Sequence, residues 1–398
     1  MSRQNVRATR QPVDRELPCH SYRRRRYRRA HGGHRIAPRR LRRPRVRAGA
    51  RDPRGRGGLT IQSNAILALR HVGCDRAVVE SGQVLRAGSI RRPDGKVLSR
   101  ADLEEAGRAV GAPAVAIHRG HLQQLLFDAL GADVVETGRE VAAYEARPDG
   151  VTLLFRDGGR EEGSVLIGAD GLRSAVRAQM LGDGEPLYAG YTCWRGVTSE
   201  DGPVVPESSE TWGRGRRFGI VPIERGRIYW FATLNAPAGG RDEPGKVRAS
   251  LESLFAGWHP PVADVLAATP EAAILRNDIL HRLPAPRWVE GRVALLGDAA
   301  HSMTPNLGQG ACQAIEDAVV LADSLTRNAA DPAAALRRYE ALRKRRADAV
   351  VLGSLRFGRL AQMENAVAGW LRDVLVAATP AAVTRAQLVR LLAFNGLQ

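Results

Sequence analysis

Residues 291–316 read GRVALLGDAAHSMTPNLGQGACQAIE, and the rest of the chain is best read outward from them. Val293 to Leu296 is a short apolar run of the kind that forms a buried parallel strand. It delivers Gly297 and Asp298 into a loop whose Gly308 and Gly310 lead into a helix. Small residues let backbone N–H groups approach a ligand closely, and the helix N-terminus favours negative charge on it. Asp298 can accept hydrogen bonds from the ligand's hydroxyls. Pro305 fixes the backbone beside them. GDAA alone would read as a buried strand with an Asp helix cap, whereas the whole string reads as a cradle for a bound group.

Three further segments fit the same reading: Gly168-Ala169-Asp170-Gly171-Leu172-Arg173-Ser174 followed by Val176 and Arg177, Arg119 in IHRGHLQQLL, and GLTIQSNAILALRHVG from Gly58. Together with the loop they resemble the FAD-dependent aromatic-ring hydroxylases. These are single-component flavoprotein monooxygenases of the p-hydroxybenzoate, salicylate and urate hydroxylase type, and the resemblance covers about residues 58 to 350. It implies FAD as cofactor and NADH or NADPH as co-substrate. It also implies an α/β fold: a Rossmann-like FAD-binding lobe of the glutathione-reductase type, an inserted, mainly antiparallel β-sheet substrate lobe, and C-terminal helices. By matching position, Thr60, Arg119, Val141, Asp170, Gly171, Gly297, Asp298, Gly308 and Gly310 are the implied cofactor-binding residues. Taken singly, Arg119 reads as an exposed helix residue and Val141 as core.

One element of that family is missing. A dinucleotide-binding βαβ unit opens with an apolar strand, continues with G-x-G-x-x-G at a helix start, and places an acid roughly 20 positions on. Residues 1–57 contain nothing of the kind: they hold 20 Arg, no Lys and three acids (Asp14, Glu16, Asp52), giving +17 of the chain's +18. The remainder, with 40 basic and 39 acidic residues, is nearly neutral. A basic arm suggests nucleic acid or an anionic membrane, and the bland reading is a solvated extension. We favour a third reading, that residues of about 18 to 57 are a GC-rich gene translated in the wrong frame. HSYRRRRYRRAHGGH, from His20 to His34, can be encoded so that the shifted frame gives TVIVGAGIGGLTAAI, with Arg24, Arg26 and Arg29 at the three glycine positions. Arg40 to Arg47 likewise allow GFDVRVFE, a second strand ending in the acid. The alternatives are a real arm, or an inactive relative unable to hold FAD.

Past this segment, length and composition suit a large enzyme core. The expected divisions are a cofactor lobe over 58–185 and 281–325, a substrate lobe over 186–280, and C-terminal helices over 326–398. The four cysteines, Cys19, Cys74, Cys193 and Cys312, show neither paired nor metal-ligand spacing, so no metal is expected and a reducing cytoplasm is. No apolar run is long enough to span a bilayer.

Helices are expected at Gln62–Val72 and His118–Leu130, with strands at 133–137, 151–156 and 164–168. From about 186 to 280 the pattern becomes aromatic-rich strands, YAGYTCWRGV, ETWG, RRFGIVPI and RIYWFATL, whose alternation lets one face pack on the chain while the other roofs a cavity. By position Arg217 and Tyr229 match an Arg and a Tyr that handle substrate in urate hydroxylases, so with Pro305 they are the pocket candidates. Trp194, Trp212 and Trp230 read as core or cavity wall. Ala333–Gly353 reads as an amphipathic helix with Arg343, Arg345 and Arg346 on its solvated face, residues 366–395 as further helical turns, and His301 as a loop residue rather than a general base.

The resemblance implies hydride transfer from nicotinamide to FAD, oxygen activation as a flavin C4a-hydroperoxide, and attack on an electron-rich ring or double bond of an aromatic or heteroaromatic compound. The expected partners are that substrate and O2, with no nucleic acid and no stable membrane insertion. A halogenase would show W-x-W-x-x-P and a lysine on an extra loop, and neither is found. The frame-shift reading requires the gene to carry one base gained and another lost near codons 18 and 58. Resequencing in which the alternative frame between those points shows no apolar strand and glycine loop overturns it.

Overall fold

The computed structural model describes residues 57–131 and 134–397, together with the backbone of 46–48. The arginine-rich residues Arg24, Arg26 and Arg29 and the rest of the 1–45 and 49–56 segments lie outside the described residues.

The apolar run at 293 forms the strand Val293–Leu295, all three residues of which are fully buried. It pairs in parallel with Leu166–Gly168 and antiparallel with Val289–Glu290. Being buried on both faces is what allows three consecutive apolar residues with no alternation. Trp288, Tyr339, Ala299 and Ala300 complete the core around it. A second parallel pair joins Val46–Ala48 to Val135–Thr137. Gly58–Ile61, Ala114–His118 and Gln83–Leu85 form a small antiparallel sheet, with Ala114–His118 in the middle. Ile61, Ile66, Val115, Ile117 and Cys312 share its core, which places the helix Ser63–Arg70 against the helix Gly310–Arg327.

The seven-stranded sheet runs in the order Leu275–His281, Leu187–Val197, Ile228–Asn235, Arg216–Pro222, Ser208–Trp212, Ala87–Arg91, Val97–Asp102. It is antiparallel except where Ser208–Thr211 pairs in parallel with Gly88–Arg91. The sheet of the 186–280 region therefore takes its last two strands from residues 87–102. Alternation divides the central strands as expected. Trp194, Phe218, Ile220, Trp230 and Ala232 point to one side and pack on the helices Val247–Leu254 and Val262–Ala267. Trp230 and Phe218 stack there with ring centroids 5.5 Å apart. Trp212 lies on the other face and is also buried.

The last part of the chain is helical: Pro332–Ala361, Ala366–Ala378 and Ala381–Leu392. The first begins at Pro332, whose fixed φ suits the first helical position, and Asp331 caps it by accepting from the Ala334 N–H at 3.0 Å. Among the described residues no single helix is long and apolar enough to cross a membrane.

The helical periodicity at 333–353 is correct, but the placement of its arginines is not. Arg345 is exposed, whereas Arg343 is fully buried and Arg346 is half-buried. Arg343 donates to Asp317 Oδ1 at 2.8 Å, to Gln313 Oε1 at 2.7 Å, and to Glu316. Arg346 donates to both oxygens of Glu316, at 2.9 and 3.0 Å. The acids Glu316 and Asp317 have no exposure and stand on the neighbouring helix, 27 and 26 residues away in sequence from Arg343. Burying a carboxylate without a cation is prohibitive, so this helix face has to turn inward to meet them. His301, expected in a loop, ends the short helix Asp298–His301 and is buried against Asp317 in the same cluster.

Arg343→Met should cost about 3–5 kcal/mol in urea unfolding, because it removes the buried guanidinium that two buried carboxylates share. Arg345→Met, on the exposed face, should change stability by less than about 0.5 kcal/mol.

Candidate active site

The strand Val293–Leu295 leads through Leu296 to Gly297, whose φ of 60° and ψ of −135° suit glycine. A Cβ there would also come within 3.1 Å of the Ala314 Cβ. The Gly297 N–H donates to Asp317 Oδ2 at 3.1 Å, so the buried ion cluster holds the turn directly. The short helix that follows is clamped from the other flavoprotein-like segment. The Arg177 guanidinium donates to the carbonyls of Ala299 and Ala300, both at 2.9 Å, and pairs with Asp183. Arg282 donates to Asp183, to the Leu172 carbonyl at 3.0 Å and to the Gly184 carbonyl at 2.9 Å. The two segments that sequence pattern singled out, around Gly168 and Gly297, are thus fastened by a parallel strand pair and two buried arginines.

Within the first of them, Asp170 accepts from Ala175 N at 2.8 Å, Val176 N at 3.3 Å and Ser174 Oγ at 2.5 Å. Its carboxylate serves the N-terminus of the helix Ala175–Leu181, and Gly171, with φ of 82°, makes the turn between them.

The loop continues through the 3₁₀ turn Pro305–Leu307 to Gly308, with φ of 61°, and into the helix Gly310–Arg327. Among the described residues no side chain caps the first turn of that 18-residue helix, which leaves its N–H groups facing an acceptor site. Gln62 fastens the loop by donating to the Leu307 carbonyl at 2.9 Å and accepting from Gln309 Nε2 at 2.6 Å. The Cys312 thiol contacts the Thr60 carbonyl at 3.6 Å, which sets Thr60 beside the helix start. Pairing of Gly58 with His118 brings Arg119 alongside, where its N–H donates to the Gly57 carbonyl at 2.8 Å. Asp298, Arg119, Pro305 and Gly308 are all exposed. Val141 stands elsewhere, half-buried opposite Phe155 on a separate sheet that Tyr144 and Gln179 join to the helix Ala175–Leu181.

The second face of the large sheet carries the pocket candidates. Cross-strand partners face the same way: Arg217 and Cys193 both pair with Thr233, Val221 and Val197 pair with Tyr229, and Arg195 pairs with Phe231. Gly219 makes room for Phe231, since a Cβ would fall 2.1 Å from that ring. Arg217 is only 2 % exposed. It donates to Gln362 Oε1 and Glu210 Oε1 at 2.7 Å and to Asn306 Oδ1 at 2.8 Å. Asn306 Oδ1 also accepts from the Tyr191 hydroxyl at 3.1 Å, so one amide joins the cofactor-type loop to the sheet. A cavity of about 300 Å³ opens beside this cluster, bounded by Tyr191, Asn235, Thr304, Asn306, Gly358 and Gln362.

Burial pushes the Tyr229 hydroxyl up to about 12 although Arg195 and Arg119 pull it down, so it is a neutral hydrogen-bond donor at physiological pH. Burial likewise raises Cys193 to about 11, which removes it as a nucleophile. For His301, burial opposes the charged imidazolium. The Asp317 carboxylate, 2.6 Å from Nε2, outweighs that and raises its pKa above the ordinary 6.5. Burial would raise Asp317, but His301 and Arg343 outweigh it and hold Asp317 below the ordinary 3.8.

Sequence pattern missed Glu210, Gln362 and the acids of the ion cluster. Asn306 and Glu316 sit inside the opening string and could have been flagged as polar residues among small ones. Gln362 carries no local signal, being 145 residues from the arginine it meets.

A strand, glycine loop and uncapped helix joined to a mixed sheet with a polar pocket define a flavin-dependent oxidoreductase class. A family model described as "FAD binding domain" matches residues 45–354, and the chain belongs to that family. It is 49% identical over 320 residues to the aurachin C monooxygenase/isomerase of Stigmatella aurantiaca, covering 80% of this chain and 83% of the relative. It is 38% identical over 298 residues to the FAD-dependent urate hydroxylase of Klebsiella pneumoniae, covering 74% and 77%. The crystal structure of Klebsiella pneumoniae HpxO complexed with FAD and uric acid superposes with a TM-score of 0.79 at 33% identity, over 84% of this chain and 87% of that one. The chain is an FAD-dependent monooxygenase of the aromatic hydroxylase family.

The His301–Asp317 pair gives a pH test. The elevated His301 pKa contributes stability that is fully present below about 6.5 and is lost as pH rises through the higher folded value. The depressed Asp317 pKa contributes stability present above about 3.8 and lost as pH falls through its lower folded value. Urea midpoints of the wild type should therefore decline as pH rises from neutral into the alkaline range. His301→Gln, less stable at pH 6, should show a flatter profile there; parallel profiles would exclude this role for the pair.

Proposed function

We propose that this monooxygenase uses a nicotinamide cofactor and O2 to hydroxylate or epoxidise a planar aromatic or heteroaromatic molecule, bound between the Pro305–Gly310 loop and the Arg217/Tyr229 face of the large sheet. The observation that carries this reading is the position of Arg217. It is a buried guanidinium on the sheet face that also carries Tyr229 and Phe231, and Asn306 ties it to the cofactor-type loop. The 49% identity to a named monooxygenase/isomerase supports the same chemistry.

The described residues fit the ring and ribityl end of FAD. Asp298 offers an exposed carboxylate to hydroxyls, Gly308 and Gly310 leave the backbone open, and Thr60 and Arg119 stand beside them. Val141, Asp170 and Gly171 are assigned to the same cofactor on the family pattern. When bound, FAD accepts hydride from the nicotinamide and activates oxygen. The protein's own contributions are orientation and electrostatics. The uncapped helix at Gly310 directs its positive end at negative charge on the bound ring. Tyr229 and Arg217 donate hydrogen bonds to the substrate's polar edge, while Phe231 and Val221 exclude water from its apolar body. His301 takes no part as a base, since its Nε2 is occupied by Asp317 beneath the loop.

The arginine-rich start bears on cofactor retention, because a pyrophosphate loop is absent from the sequence of residues 1–57. The test is to purify the chain as it stands and a variant with residues 18–57 replaced by the restored-frame segment, and to record flavin absorbance and NAD(P)H consumption. If only the restored protein is yellow and consumes NAD(P)H, the frame-shift reading stands. Stoichiometric FAD in the chain as it stands would refute it, and lack of flavin in both would refute the functional reading.

A further inference from the structure

We propose that the outward face of the helix Ala366–Ala378 docks reversibly on an anionic lipid bilayer, with the helix lying in the plane of the interface. The inference goes beyond the substrate reading above and does not depend on it.

A surface helix ordinarily turns its apolar stripe to the core and its charges to water. This one does the reverse. Val367, Trp370, Leu371, Val374 and Leu375 follow the i, i+3, i+4, i+7, i+8 spacing of a single helix face, and all five are exposed, Val367 by 73 % and Trp370 by 62 %. The helix has two charged residues, Arg372 and Asp373, and both turn inward. Arg372 is buried, donates to the Ala361 carbonyl at 3.1 Å, pairs with Asp373 at 2.7 Å and stands over the Trp212 ring, 5.2 Å from its centroid. Asp373 also lies 4.0 Å from Arg92. Polar contacts therefore hold the helix on the protein and leave its apolar side facing out. Of the chain's six tryptophans, Trp370 alone is exposed.

Lipid suits this face better than a protein partner does. A stable protein interface takes about 20–30 residues a side and roughly one hydrogen bond per 100–200 Å². The stripe offers five large side chains whose single hydrogen-bonding group is the Trp370 indole N–H. The acyl boundary of a bilayer needs no hydrogen bonds, and indole rings settle at its headgroup level. The arginine-rich residues 1–57 supply no apolar run to cover the stripe.

The flanking charge favours an anionic surface. The next helix, Ala381–Leu392, carries Arg385 and Arg390 and no acid. Both helices pack on the sheet-edge strand Val97–Asp102, which Lys96 precedes. Lys96 and Arg390 are exposed and have no acidic partner among the described residues, whereas the acids Asp94 and Glu105 already pair with Arg92 and Arg385. Basic side chains held at an anionic bilayer surface add to the apolar attraction. Together the two helices are apolar enough for a membrane segment, but the chain turns through 89° between them, so the contact lies on the surface and does not cross it.

The experiment is co-sedimentation of the full chain with vesicles of phosphatidylcholine, alone or mixed with phosphatidylglycerol. The wild type should bind the mixed vesicles at least about tenfold more strongly than W370S/L371S/L375S, which removes three apolar side chains from the stripe. Residues 1–57 are common to both chains, so the difference reports the stripe. Val204→Ser, at an exposed apolar position outside the stripe, should bind as the wild type does. K96E/R390E should lose at least about fivefold on the mixed vesicles and little on phosphatidylcholine alone. Brominated phosphatidylcholine in the mixed vesicles should quench the wild type's tryptophan fluorescence, and Trp370→Phe should keep the binding while losing most of the quenching. That measurement decides the matter if the triple variant fails to fold by circular dichroism. Equal binding by the folded triple variant, or no quenching of the wild type, overturns the docking face. Equal binding by K96E/R390E overturns the choice of an anionic surface. A wild type that is dimeric by light scattering, becomes monomeric as the triple variant and ignores vesicles would assign the face to a second copy of the chain and overturn the proposal.

Discussion

Two carboxylates with no access to solvent, Glu316 and Asp317, set the terms for the rest of the molecule. They sit on the helix whose N-terminus faces the glycine loop, and each needs a cation in the interior. Arg343 and Arg346 come from the long C-terminal helix, and His301 comes from the end of the loop's own short helix. Because Asp317 also accepts the Gly297 N–H, the cluster does more than join two helices. It fixes the turn at the end of the buried strand relative to the helix behind it. Such clusters contribute uncertain net stability, since desolvation offsets attraction, but they penalise every arrangement that leaves one charge unanswered. What they supply here is a single register for the loop.

Much of this was legible in the sequence where the constraint is local. Consecutive apolar residues with no alternation at 293, glycines at the loop corners and alternating aromatics along the 187–235 strands each follow from backbone geometry within a few residues. The structure places them as read. The reading failed where the deciding partner lies far away in the chain. Arg343 looks like any arginine on an amphipathic helix until the buried acids 26 and 27 residues upstream are known. The same holds for Arg217, whose position was marked by family pattern but whose neighbours Glu210 and Gln362 were not. It also holds for the sheet's outer strands at 87–102, which no feature of the 186–280 segment announces.

The two polar clusters divide the work differently. The one beneath the loop is closed: its charges answer one another, and it is tied to the loop through the Gly297 N–H and His301. The one on the sheet stands beside a cavity, whose wall includes its members Tyr191, Asn306 and Gln362. Asn306 belongs to the loop by position and to the sheet cluster by contact, so a shift of the loop would be felt at Arg217 through one amide. A closed anchor below and a hydrogen-bonded cluster beside a cavity above is an arrangement that can hold a cofactor still while leaving room for a ligand.

The partners of Arg217 also determine when in the life of the chain the pocket can exist. Its acceptors are contributed by residues 210, 306 and 362, so the chain must be synthesised nearly to its end before the last of them is present. Until then the sheet can pair and bury its tryptophan face, but the guanidinium on the other face lacks its full set of acceptors. Contacts of such long sequence separation form late, after loop closure has been achieved by the elements between them. The substrate pocket is therefore a property of the completed chain, acquired after the sheet that carries it.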